Sequence, residues 1–206
     1  MKKLASLILA AALLLTCSAA LAKTVEPEAT GYEKLAGIVV HATVGRYSAE
    51  TKTFTVTLYD DDCFKIDNVE KLAAGDTLLA GGHLYKVKEV TQADNGDITA
   101  LTEDGSEIVF VQVGDDSMIA QSTDDDRRYM HAFAVLELPA AEGIVYEDAS
   151  DPEKMEPVVT SNLEEILKVK AEKEETSIGF DFYATVIETN DNMEMVRIHQ
   201  DYDVAQ

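Results

Sequence analysis

The side chains best equipped for chemistry in this 206-residue chain are 39 Asp and Glu, four His and two Cys. Three runs of consecutive acids stand out: Asp60-Asp61-Asp62, Asp115-Asp116 and Asp124-Asp125-Asp126. Carboxylate-dense loops suit Ca²⁺, which takes six to eight oxygen ligands. Asp60, Asp61, Asp62, Asp124, Asp125 and Asp126 are therefore the candidate metal ligands, and Ca²⁺ is the one cofactor worth considering. None of the runs has the spacing of an EF-hand loop, and successive carboxylates on extended chain point to opposite faces. Solvated loop charge is the simpler expectation.

The histidines, His41, His83, His131 and His199, show no metal-ligand spacing such as His-x-His or His-Glu-x-x-His, although a fold could still gather them. Cys63 has acidic neighbours, which raise a thiol pKa and oppose activation, so it reads as a small apolar residue at a strand end. The sequence contains no Gly-x-Ser-x-Gly elbow, phosphate-cradling glycine loop or dinucleotide fingerprint. No catalytic or cofactor-binding residue is therefore assigned. Trp is absent, so a sugar-binding face would depend on tyrosines such as Tyr47, Tyr59, Tyr129, Tyr146 and Tyr183, each equally at home as an ordinary strand residue.

A formal net charge of -22 argues against DNA, RNA and anionic membranes, because binding phosphates calls for clustered Lys and Arg. The start of the chain points to export. Lys2 and Lys3 precede an apolar stretch from Leu4 to Leu15, followed by small residues ending in Ala20-Leu21-Ala22, the grammar of a signal peptide cleaved after Ala22. The apolar run is too short to span a bilayer. Leu14-Leu15-Thr16-Cys17 resembles the lipobox of bacterial lipoproteins, with Thr where Gly, Ala or Ser is usual. That resemblance implies, as the alternative, membrane anchoring through an acylated Cys17.

The elements that would position these side chains are mainly strands. Residues 1–22 read as the signal and 23–34 as a flexible leader. From 35 to 121 the pattern is that of an antiparallel barrel or sandwich built from hairpins and a meander, and from 122 to 206 that of a second β-rich portion, either a separate unit or packed into the same domain. Thr53 to Tyr59 alternates with Phe54, Val56 and Leu58 on one face. Gly81-Gly82, Asn95-Gly96 and Asp104-Gly105 each separate two β-prone runs between Asp76 and Val113, which predicts three hairpins in succession. Arg128 to Leu138 predicts a strand ending at Pro139. The one expected helix runs from 162 to 175, opened by a Ser161/Glu164 capping box and carrying Leu163, Ile166, Leu167 and Lys170 on one stripe. A last hairpin turns at Asn190-Asp191-Asn192. His41-Ala42-Thr43-Val44 and Tyr183-Ala184-Thr185-Val186 share three residues, an accident of strand composition rather than a repeat.

With a folded core evident and no reaction centre in the linear order, the expected role is that of an exported, non-catalytic binding or cell-envelope module. Its partner would be an unidentified protein or envelope component, met outside the cell, in the periplasm or at the cell surface. A Ca²⁺-stabilised extracellular structural protein and a carboxylate-dependent extracytoplasmic hydrolase are the alternatives.

Overall fold

The computed structural model describes residues 22–29, 31, 34–176 and 179–202. The expected signal up to Leu21, Cys17 included, lies outside them. Within them the molecule is mainly β: two mixed, mostly antiparallel sheets and two short helices.

The first sheet has seven strands, in the order β1 (Thr24–Val25), β5 (Thr77–Ala80), β6 (His83–Gln92), β7 (Ile98–Thr102), β8 (Glu107–Gln112), β9 (Ser117–Ser122) and β4 (Cys63–Lys65). Strands β5 to β9 are the expected meander, each pairing antiparallel with the next. The first turn has positive φ at both Gly81 (57°) and Gly82 (75°), as a primed hairpin turn requires. The third is built otherwise. Gly105 N donates to Thr102 O and Thr102 N to Ser106 O, a three-residue loop in which only Gly105 has positive φ. Inward residues including Phe64, Leu78, Ile108 and Phe110 fill one core. Helix α1 (Ile66–Val69), absent from the sequence reading, plugs Val69 into it.

The second sheet has six strands, in the order β11 (Val158–Thr160), β10 (Met130–Asp148), β13 (Met195–Gln200), β12 (Thr185–Thr189), β2 (Val39–Ser48) and β3 (Thr53–Asp61). It curls until β3 also pairs with the first half of β10, so the pairings of β10, β13, β12, β2 and β3 form a ring. The order β12-β2-β3-β10 is that of a Greek key, which by itself names no ligand. Phe54, Val56 and Leu58, all fully buried, fill the second core with residues such as Tyr146, Ile187 and Ile198.

Three expectations need correcting. The cores do not part after Gln121: β2 and β3 belong with residues 130–200, and the seven-stranded sheet is mostly inserted between β3 and β10. Pro139 does not end its strand. It pairs with Thr53 at the start of β3, where β10 changes partner, and β10 continues alongside β13 in parallel. Nor is 23–34 wholly a loose leader, since β1 pairs with β5 and Val25 is buried among the residues of the first core.

Helix α2 (Leu163–Thr176) lies against the second core through Ile166. Its cap is shifted by one residue from the sequence reading. Asn162 Oδ1 accepts from Glu164 N at 2.9 Å, while Glu165 accepts from the Thr160 hydroxyl at 2.8 Å. Asn at that position competes for the role given to Ser161 and wins because its carbonyl reaches the exposed donor. Lys170 is buried on the stripe and pairs with Glu174.

Candidate functional site: an aromatic cleft between the sheets

The chain passes from the second sheet into the first at Asp62 and returns at Tyr129. Asp62 N donates to Tyr129 O at 2.8 Å, so the entry and exit of the inserted sheet are tied together. Asp62 is fully buried. Its Oδ2 accepts from Gly81 N at 2.5 Å and its Oδ1 faces His131 Nδ1 at 2.7 Å. A buried carboxylate without partners would be costly, and here both oxygens are engaged. This one residue therefore joins the β5–β6 turn, β10 and the link between the sheets.

The seam it creates is lined by aromatic rings. Alternation along β3 sends Phe54, Val56 and Leu58 inward and leaves Tyr59 on the opposite face. There Tyr59 stacks on Phe182 with ring centres 4.0 Å apart, and Phe182 lies 4.1 Å from Tyr183. Across the seam Tyr85 of β6 meets Tyr129 edge to face at 6.0 Å. Together with His83 these rings wall a cleft of about 400 Å³. The floor is open because the glycine pair and Ala132, beside Tyr59 in the sheet register, present little or no side chain. Arg127 lies over the Tyr183 ring at 4.5 Å, within cation–π range.

Electrostatics around the cleft are set by acids. Burial pushes the Tyr129 hydroxyl far above its ordinary pKa, with Tyr85 and then Asp125 adding to the effect. Burial also raises Tyr183, opposed by Arg127 and reinforced by Asp125 and Asp181. Both hydroxyls stay protonated at physiological pH. On one side a hollow of about 260 Å³ holds His41, Tyr59, Asp60 and Asp61; on the other, a pocket of about 210 Å³ holds Glu26, Glu28, Asp62 and His131.

The candidate metal ligands are placed but not gathered into a cation site. Asp60 Oδ1 accepts from Asp61 N, Asp61 Oδ2 pairs with Arg128 at 2.8 Å, and Asp62 is engaged as described. Asp124 N donates to Ser122 Oγ, Asp125 accepts from Arg127 N, and Asp126 sits exposed at a turn with φ 56°. Among the described residues no group of three or more His, Cys, Asp and Glu side chains could hold a metal ion. Arg128, which pairs with Asp61, follows the Asp124–Asp126 run closely in the chain.

The histidines scatter as well. His41 contacts Phe182 O at 2.9 Å, His83 is exposed at the cleft, His131 meets Asp62, and His199 meets Glu147 at 3.2 Å. Cys63 is a free, half-buried thiol whose pKa is raised first by burial and then by Asp61, Asp60, Glu28 and Asp62. The buried Asp62 orients His131 as catalytic triads orient a histidine. Yet among the described residues, those lining that pocket include no Ser, Thr or Cys to serve as nucleophile.

Of the five tyrosines singled out from the sequence, Tyr59, Tyr129 and Tyr183 meet at the cleft. Tyr47 packs on Phe54, and Tyr146 is buried with its hydroxyl on Gln200 Oε1. Tyr85, Phe182 and Arg127 were missed, and nothing in the linear order brings them together. Among the described residues no helix is long and apolar enough to cross a membrane. No family model matches the chain, and no match is found among curated proteins or solved structures.

Proposed function

We propose that the protein is an exported, non-catalytic binding module whose ligand site is the aromatic cleft. Its ligand would be a cationic group, an alkylammonium or guanidinium, presented by a protein or envelope component. The observation that carries the reading is the five-ring wall at the seam, one ring of which already holds a guanidinium at 4.5 Å. Charge complementarity supports it: the chain is strongly acidic, and Asp60, Asp61, Asp62, Asp125 and Asp181 lie beside the rings or act on them electrostatically.

Titration calorimetry with choline, arginine amide and a neutral chito-oligosaccharide tests this, with tyrosine emission as a second readout in a chain lacking Trp. Saturable binding of the cations is expected, weakened by salt and reduced at least about tenfold by Tyr129→Ala or Tyr183→Ala. Binding of the sugar alone would overturn the assigned ligand class. Binding of none would overturn the cleft as the site.

A further inference from the structure

We propose that export processing completes the fold: cleavage after Ala22 turns the Lys23 amide nitrogen into an α-ammonium that docks on the carboxylate of Asp76. The inference rests on the export reading and is independent of what the cleft binds. Asp76 sits just ahead of β5 and is largely buried, at 8% exposure. Its Oδ1 accepts from Lys23 N at 3.0 Å, and its Oδ2 from Ala73 N at 3.0 Å. The ammonium of Lys23 itself, Nζ, is 3.9 Å away and donates to Lys71 O at 2.6 Å. In the uncleaved chain, then, a buried negative charge is met at closest range by neutral amides.

Two independent observations select the same bond. The small-x-small series Ala20-Leu21-Ala22 ends at the peptide bond whose nitrogen touches Asp76. Lys23 is also fixed on its other side, because Thr77 N donates to Lys23 O at 2.8 Å and Thr24 pairs with Thr77 in the β1–β5 register. Hydrolysis by signal peptidase adds water across the Ala22–Lys23 bond. The carboxylate leaves with Ala22, and the amine stays on Lys23 and takes up a proton. The nitrogen keeps its position while gaining a full charge, so a neutral hydrogen bond becomes a charge-assisted one. An acylated N-terminus at Cys17 would leave the Lys23 nitrogen a neutral amide.

The sign with pH follows from the pairing. An α-amino group titrates near 7.7–8.0 when free, and pairing with Asp76 raises that value in the folded state. The stabilisation is complete below the free value and is lost as pH rises through the folded one. The other charges facing the group are Lys23 Nζ, Lys71 (itself paired with Asp67 at 3.1 Å) and Lys86, whose ammonium is bound to Gly75 O.

The test compares melting of a chain beginning at Lys23 with one beginning at Ala20, whose ammonium is displaced by roughly 10 Å. At pH 7 the Lys23 chain should melt about 4 °C higher, and the gap should close above about pH 10 and in Asp76→Asn. Equal melting at pH 7, or a gap indifferent to pH, overturns the proposal. The pH comparison decides even if Asp76→Asn does not fold. Intact mass of the exported protein should start at Lys23, and a chain starting at acylated Cys17 overturns the processing step.

Discussion

The two sheets reach the same end, a sealed apolar core, by opposite routes. In the seven-stranded sheet, β5 to β9 pair with immediate neighbours along the chain, and glycine-bearing turns set each register. In the six-stranded sheet, β3 finds β10 across the whole inserted sheet, and β2 finds β12 more than 130 residues away. One is held mainly by local contacts and the other by contacts whose loop-closure entropy is large. The seam between them, where Asp62 sits, is where the cleft forms.

That contrast makes the largest expected effect an asymmetric one. Phe54→Ala in the ring and Phe110→Ala in the meander each empty a fully buried aromatic site and should cost about 4 kcal/mol. Phe54→Ala should leave the amides of β6 to β8 protected in hydrogen exchange, because that sheet keeps its neighbours. Phe110→Ala should expose both sheets, since the ring closes only when the inserted chain returns β10 to β3. Equal loss of protection in both variants would show that the seam, rather than the topology, sets cooperativity.

The same contrast explains what could be read from the chain in advance. Gly81-Gly82 and Asp104-Gly105 announce reversals within a few residues, so the meander was visible in the order of residue types. Nothing near Val40 or Ile187 announces that they share a core, because they pair across more than 130 intervening residues. Pro139 read as a terminator because its missing N–H was weighed without knowing that β10 changes partner there. The run Asp60-Asp61-Asp62 read as solvated charge with a cation site as the lesser alternative, because the partners that engage Asp61 and Asp62, namely Arg128, Gly81 and His131, are distant in sequence. Tyr59, Tyr129 and Tyr183 were recognisable as individual aromatics, and only the seam makes them one surface.

Two glycines sharpen the comparison at smaller scale. Gly81 lies at the seam with φ 57°, and a Cβ there would come within 3.0 Å of the Tyr129 ring. Gly105 lies at the far end of the meander with φ 94° and open space around it. Gly105→Ala should cost about 1 kcal/mol of backbone strain, and Gly81→Ala about 2 because it must also displace Tyr129. Denaturant melts give the two energies. Only Gly81→Ala should alter the near-ultraviolet tyrosine signal, and an equal change in both would sever the turn from the cleft.

The smallest effect concerns how α2 is fastened to the ring. Lys173 reaches from α2 to Asp148 at the end of β10, at 3.0 Å, and to the Ser150 hydroxyl at 2.8 Å. Burial pushes the Asp148 carboxyl up, but hydrogen bonds from Ser150 and Lys173 outweigh it, and the net direction is down from the ordinary carboxylate value. A depressed folded pKa means stabilisation that is present above the unfolded value, near 3.9, and is lost as pH falls through the folded one. Asp148→Asn should therefore destabilise by about 1 kcal/mol at neutral pH and by progressively less on acidification, until wild type and variant melt together below the folded pKa. The first core should be indifferent to the change, since Lys173 and Ser150, side chains that engage Asp148 among the described residues, lie on α2 and just past the end of β10. Loss of exchange protection in β6 to β8 on this substitution would mean that α2 braces both sheets and not the ring alone.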